Sequence, residues 1–153
     1  MGTGHIQTCT KVKNDGTISD WLVEGLIRED IATADWTDGG AAAGTYTLPQ
    51  TIPDKSWVER TVLYNLVCTD SAGADVTTVT ITVGDGSDVD KFNTGTPSIA
   101  PAASADVVDL GVPSAPAVNA ASSVVLTVTE ADDFTGIEVL TMTIEIRYRS
   151  QGT

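Results

Sequence analysis

Apolar and polar side chains alternate with period two through much of this chain, and that period places every other residue on one face of an extended strand. In residues 76–83, Val79, Ile81 and Val83 fall on one side while Thr78, Thr80 and Thr82 fall on the other. This is the pattern of a half-buried antiparallel strand, with threonine as the β-former facing water. Residues 122–129 repeat it, with Val124, Leu126 and Val128 inward, Thr127 and Thr129 outward, and Val125 adding an apolar residue to the outer face. Near the C-terminus Leu140, Met142, Ile144, Ile146 and Tyr148 alternate with Thr141, Thr143, Glu145, Arg147 and Arg149, which predicts a long strand. Ile137 and Val139 have the opposite parity, so a turn or bulge is expected around Val139 and Leu140.

Residues 57–68 predict another long strand, with Val58, Val62, Tyr64, Leu66 and Cys68 on one face and Trp57, Leu63 and Val67 on the other. A strand apolar on both faces belongs in a sheet centre or against a neighbouring chain. Trp57, Leu63 and Val67, together with Trp21, are therefore the candidate subunit-contact residues. Turn residues separate the strands, as in Asp70-Ser71-Ala72-Gly73-Ala74 and Gly84-Asp85-Gly86-Ser87-Asp88. Residues 97–116 are poor in bulky side chains and read as a long surface connection. The first 44 residues are less regular: 18–27 fits a strand or a short amphipathic helix, and 38–44 reads as a flexible joint. The expected organisation is all-β, an antiparallel β-sandwich or jelly roll over 45–153 with an irregular N-terminal arm over 1–44.

Composition narrows the function classes. With 153 residues, 41% hydrophobic, the chain can build a core without a metal or disulfide framework. Its net charge is −13, and between Thr61 and Asp133 ten carboxylates face one cation, Lys91. A surface of that sign repels phosphate backbones, so no nucleic-acid partner is expected. No apolar stretch approaches the roughly 18 residues of a membrane span, and residues 1–10 carry no hydrophobic signal core. No membrane partner is expected, and synthesis is expected in a cytoplasm. Cys9 and Cys68 then read as free thiols.

Chemistry-bearing patterns are sparse. The single histidine, His5, lies in the expected arm, so no Ser-His-Asp or Cys-His arrangement forms around a core histidine. Two cysteines and one histidine far apart do not suggest a zinc site. Asp85, Ser87, Asp88 and Asp90 could offer oxygen ligands to a hard cation such as calcium, but they depart from EF-hand spacing and lack the distal glutamate. A solvated turn is the expected role of these residues. Glu130, Asp132 and Asp133 are a second acidic cluster and read as a charged loop, not as a glycosidase pair. Trp21, Trp36 and Trp57 could line a carbohydrate platform, although aromatic residues are only 5% of the chain. The reading is a non-enzyme with no cofactor and no metal.

Several segments carry a likeness to known proteins: Tyr46-Thr47-Leu48-Pro49, Ile52-Pro53 and Trp57-Val58; Thr80-Ile81-Thr82-Val83-Gly84-Asp85, residues 88–90 and Phe92-Asn93-Thr94-Gly95; Leu126-Thr127-Val128-Thr129, Ala131-Asp132-Asp133-Phe134-Thr135 and Ile144-Glu145-Ile146-Arg147-Tyr148. Over about 45–149 the sequence resembles tailed-bacteriophage virion structural proteins of the head decoration or cement type. It departs from that pattern at Glu138-Val139-Leu140, where such sequences often carry a glycine before the last strand. The resemblance implies a protein on the capsid exterior that binds the phage major capsid protein, forms a homo-oligomer of trimeric type and stabilises the shell. It also implies synthesis in the host bacterial cytoplasm. The N-terminal arm would serve as a tether that orders on contact. The alternative is a tail, baseplate or fibre component of the virion.

Overall fold

Strands form where the alternation predicts them, and they are longer than the pattern alone suggests. The computed structural model describes residues 8–14, 17–40, 42–73, 79–94, 104–113, 115–130 and 133–151. Among these, the regular structure is ten strands and two single turns of 3-10 helix, Thr33–Asp35 and Phe134–Gly136. The strands are β1 (Thr8–Asn14), β2 (Thr17–Ile31), β3 (Thr37–Asp38), β4 (Ala43–Ile52), β5 (Ser56–Asp70), β6 (Val79–Gly84), β7 (Ser104–Asp109), β8 (Ala117–Val118), β9 (Ser122–Glu130) and β10 (Ile137–Gln151).

Two antiparallel sheets enclose one core. The first has the order β1-β2-β10-β5-β7, with the short β8 also paired to β5; the second has the order β3-β4-β9-β6. Early strands pair with late ones in nested order: β2 with β10, β4 with β9, and β5 with β7 and β8. The chain crosses between sheets at six of the nine connections between these strands. This is the rolled-up hairpin of a jelly roll, the second of the two expected architectures. Ile27, Leu63 and Ile144 from the first sheet meet Leu48, Ile81 and Leu126 from the second, each at most 3% exposed. Tyr148 is also buried, because its partner across the ladder is Gly25. A Cβ built at Gly25 would lie 2.1 Å from the tyrosine ring, so the ring takes the space a side chain would need.

Where the expectations fail, the cause is register. β5 carries two irregularities, one at Glu59 between the partners of Arg147 and Tyr148, and one at Asn65 and Leu66 between the partners of Thr141 and Thr143. Asn65 has φ of 52°, the left-handed conformation that asparagine tolerates better than most residues. Each extra residue flips the faces of everything beyond it. The inward residues are therefore Val58, then Thr61 and Leu63, then Leu66 and Cys68. Val62 and Tyr64, expected inward, belong to the outer face, and Leu63, expected outward, lies in the core at 0% exposure. A third shift at Glu138, between Ile137 and Val139, brings both Ile137 and Leu140 inward, one residue from the predicted bulge.

The N-terminal region is not a separate arm over its described part. β2 pairs with β10 from Leu22 to Ile31, and it carries Ile27 and Ile31 into the core, so the sandwich extends well before residue 45. The segment 18–27 is strand. The expected joint at 38–44 is a tight connection between β3 and β4, with Gly40 at φ of 81° and the Gly39 N–H donating to the Ala43 carbonyl at 2.9 Å. The expected surface connection at 97–116 contains the edge strand β7 and the buried Leu110 and Pro113. His5 lies outside the described residues.

Candidate functional site

The outer face of the first sheet is built in rows that cross its strands. Asp30, Thr143, Tyr64 and Val107 form one row across β2, β10, β5 and β7; Arg28, Glu145, Val62 and Asp109 form the next. Leu26, Arg147 and Arg60 follow, and Glu24, Arg149, Trp57 and Ala117 form the last. All four arginines of the chain, Arg28, Arg60, Arg147 and Arg149, thus lie on one face of one sheet. With Glu24, Asp30, Glu59, Asp109 and Glu145 beside them, four cations meet five carboxylates, a net of −1 in a chain of −13.

Three of the four arginines form ion pairs. Arg60 binds Asp109 through two N–H groups, at 2.6 and 3.2 Å, which holds that carboxyl below its usual range. Arg147 donates to Glu145 at 2.8 and 2.9 Å, and the Glu145 side chain is only 7% exposed. Arg149 meets Glu59 at 2.7 Å, and Arg28 lies over the Tyr64 ring at 5.9 Å from its centroid. Among these groups stand large exposed apolar side chains, Val107 at 58% and Trp57 at 56%.

Trp57 opens onto a cleft of about 630 Å³ at the start of β5, lined by Lys55, Glu59, Asn119, Arg149 and Gln151 among others. Trp57 is held on both sides, by Arg149 of β10 and Ala117 of β8. The turn before it is pinned where the Gln151 N–H donates to the Lys55 carbonyl at 3.1 Å, and Val58 N–H donates to the Pro116 carbonyl at 2.9 Å.

The four candidate contact residues do not form one patch. Leu63 is core, and the Trp21 side chain lies outside the described residues. Trp57 and Val67 share the outer face but stand ten positions apart on β5, about 33 Å at ~3.3 Å per residue. What the sequence misses is the clustering of arginines. Arg147 and Arg149 share a parity that is legible, whereas Arg28 and Arg60 join them only through the strand register.

The acidic candidates serve local structure. Asp85 Oδ1 accepts from the Ser87 N–H, the Ser87 hydroxyl and the Asp88 N–H, and Oδ2 accepts from Lys91 Nζ at 2.7 Å. The Lys91 bond, then the Ser87 hydroxyl, holds the Asp85 carboxyl far below its ordinary range. Its oxygens are thus engaged in closing the 85–91 turn. That turn seats the buried Phe92 and lets Asn93 accept from Val83 N–H at 2.6 Å. Glu130 accepts from Asp133 N–H, and Asp133 caps the second 3-10 turn by accepting from Thr135 N–H; Asp132 lies outside the described residues. Trp36 packs in the core against Tyr46 and Phe134 at ring separations of 6.2 and 6.3 Å. Burial, with the Glu130 charge adding to it, pushes the Cys68 thiol up to about 11, which makes it a poor nucleophile.

Among the described residues no group of three or more His, Cys, Asp or Glu side chains is arranged to hold a metal ion, and no helix is long and apolar enough to cross a membrane. Comparison with protein-family models, curated proteins and solved structures finds no match to this chain.

Proposed function

We propose that this chain is a non-catalytic virion protein of a tailed bacteriophage, which decorates the outside of the head and stabilises the shell by docking through the arginine-bearing face. The observation that carries the reading is the segregation of every arginine onto one nearly neutral face of a molecule with charge −13. Any strongly acidic face brought against another protein would meet self-repulsion and a desolvation cost. The arginine face avoids most of the repulsion, and three of its ion pairs are formed before docking. It also offers the residue types that carry interfaces, Arg28, Arg60 and Arg147 with Tyr64, beside the exposed Val107. The sequence resemblance supplies the virion context, and jelly rolls recur among capsid-associated domains, which supports it by fold analogy alone. Stabilisation follows from mass action. A protein that binds assembled shell better than free subunits shifts assembly toward shell, and many symmetry-related sites multiply a modest effect.

The test is co-sedimentation of the purified chain with phage heads that lack it. Wild type binds as a trimer by light scattering. Arg60→Gln combined with Arg147→Gln weakens binding by at least about tenfold, or 1.4 kcal/mol, while the far-UV spectrum stays that of a β-sheet protein. Failure of wild type to bind heads sinks the proposal. Undiminished binding of the double variant moves the contact to another face.

A further inference from the structure

The cleft at Trp57 stands at the far end of the same sheet face, roughly 20 Å along β10 from the row of Tyr64 and Val107, and it has a chemistry of its own. We infer that it is a saccharide-binding site that prefers an oligosaccharide carrying uronic acid. Three observations converge on that ligand class. The first is the indole itself, 56% exposed on a residue whose backbone pairs with a strand on each side, so that an apolar ring is presented from a sheet and not from a loop. The C–H face of a pyranose ring is the complementary surface: it covers the indole with apolar carbon while its hydroxyls point outward to the rim.

The second is what that rim offers. Asn119 and Gln151 each combine amide donors with a carbonyl acceptor, the pairing that vicinal hydroxyls require. Glu59 and Arg149, ion-paired at 2.7 Å, are 37% and 49% exposed in their side chains and add a charged donor and a charged acceptor to the rim. Such groups suit a ligand dense in hydroxyls. An extended peptide fits less well, because the strand edge it would pair with is already taken: Ser56 pairs with Val118, and Trp57 with Ala117.

The third is charge. Lys55 stands at the mouth on a turn with φ of 52°, and among the described residues no carboxylate pairs with it. Lys55 and Arg149 against Glu59 leave the cleft at +1 within a chain of −13. A sugar carboxylate answers that local excess. At 0.15 M salt the Debye length is about 8 Å, so the distant acidic surface is largely screened.

The experiment titrates the full chain with trigalacturonic acid and, separately, with maltotriose at 0.15 M salt, read by calorimetry and by perturbation of the Trp57 indole N–H resonance. Trigalacturonic acid is expected to bind more tightly than maltotriose. Trp57→Ala should weaken it about tenfold and Lys55→Gln should erase the difference between the two sugars, with both variants folded by circular dichroism. The inference is overturned if neither sugar binds, if Trp57→Ala leaves the affinity unchanged, or if Lys55→Gln leaves the acidic preference intact. It is likewise overturned if Trp57→Ala dissociates the wild-type oligomer, which would make the cleft a contact between protein copies.

Discussion

The two sheets bury similar inner faces and expose very different outer ones. On the second sheet Thr45, Thr127 and Thr82 line up across β4, β9 and β6, with Ala43, Thr129 and Thr80 in the next row and Thr37 of β3 beside Thr45. None of these residues carries a charge. The first sheet places four arginines and five carboxylates over the same kind of backbone. The inner faces are fixed by the need to bury Ile, Leu and Val against one another, and one residue of slip would expose them. The outer faces bear no such constraint. A threonine face meets the requirements of strand geometry alone, whereas a face of paired arginines, a half-buried tyrosine and an exposed tryptophan goes beyond them. That contrast is the ground for proposing the first sheet as the docking face.

The largest effects should be shared by both sheets. Ile144→Ala in β10 and Leu126→Ala in β9 remove side chains at 0% exposure, and each should cost ~2–5 kcal/mol in urea unfolding. A loss confined to one of them would break the equivalence of the inner faces. On the outer faces the response should divide. Glu145→Ala removes a carboxylate whose side chain is 7% exposed and strands Arg147, and it should cost about 2 kcal/mol by the same measurement, discounted for the exposure of the arginine.

Asp85→Asn sharpens the contrast through acid. The native carboxyl of Asp85 is held far below its usual range, so its stabilising contribution is present above the unfolded value of about 3.9 and is lost as pH falls below it. The variant should lose ~1–2 kcal/mol at pH 7 and show a shallower decline between about pH 4 and pH 2; an unchanged acid profile would remove Asp85 from the account. Thr127→Val, on the uncharged face, should stay within ~0.5 kcal/mol of wild type. A large loss there would mean that the threonine rows do more than face solvent.

Much of the fold was legible because period two is unambiguous where it is unbroken. β9 and β10 follow the predicted alternation almost residue for residue. The middle of β5 escapes the pattern because bulges leave little trace in the sequence: Glu59 carries no bulge signal and Asn65 only asparagine's tolerance of the left-handed conformation, yet each reverses the parity beyond it. The same blindness put Leu63 among the contacts and Tyr64 in the core. β2 was obscured by Gly25 and Glu29, both inward-facing. One makes room for Tyr148, and the other accepts a hydrogen bond from Gln50 at 3.0 Å across the sheets. Of the arginine face only the shared parity of Arg147 and Arg149 could be read, because the rest exists only once β2, β10 and β5 are set side by side.

The central claim is that the arginine-bearing sheet meets the shell. A side-chain-resolving reconstruction of the intact virion that carries this chain tests it most directly. Copies should occupy quasi-equivalent positions over the head, with Arg28, Arg60, Arg147 and Tyr64 turned toward major-capsid subunits and the threonine rows toward solvent. Copies found only along the tail, or seated on the head by the threonine face, would contradict it.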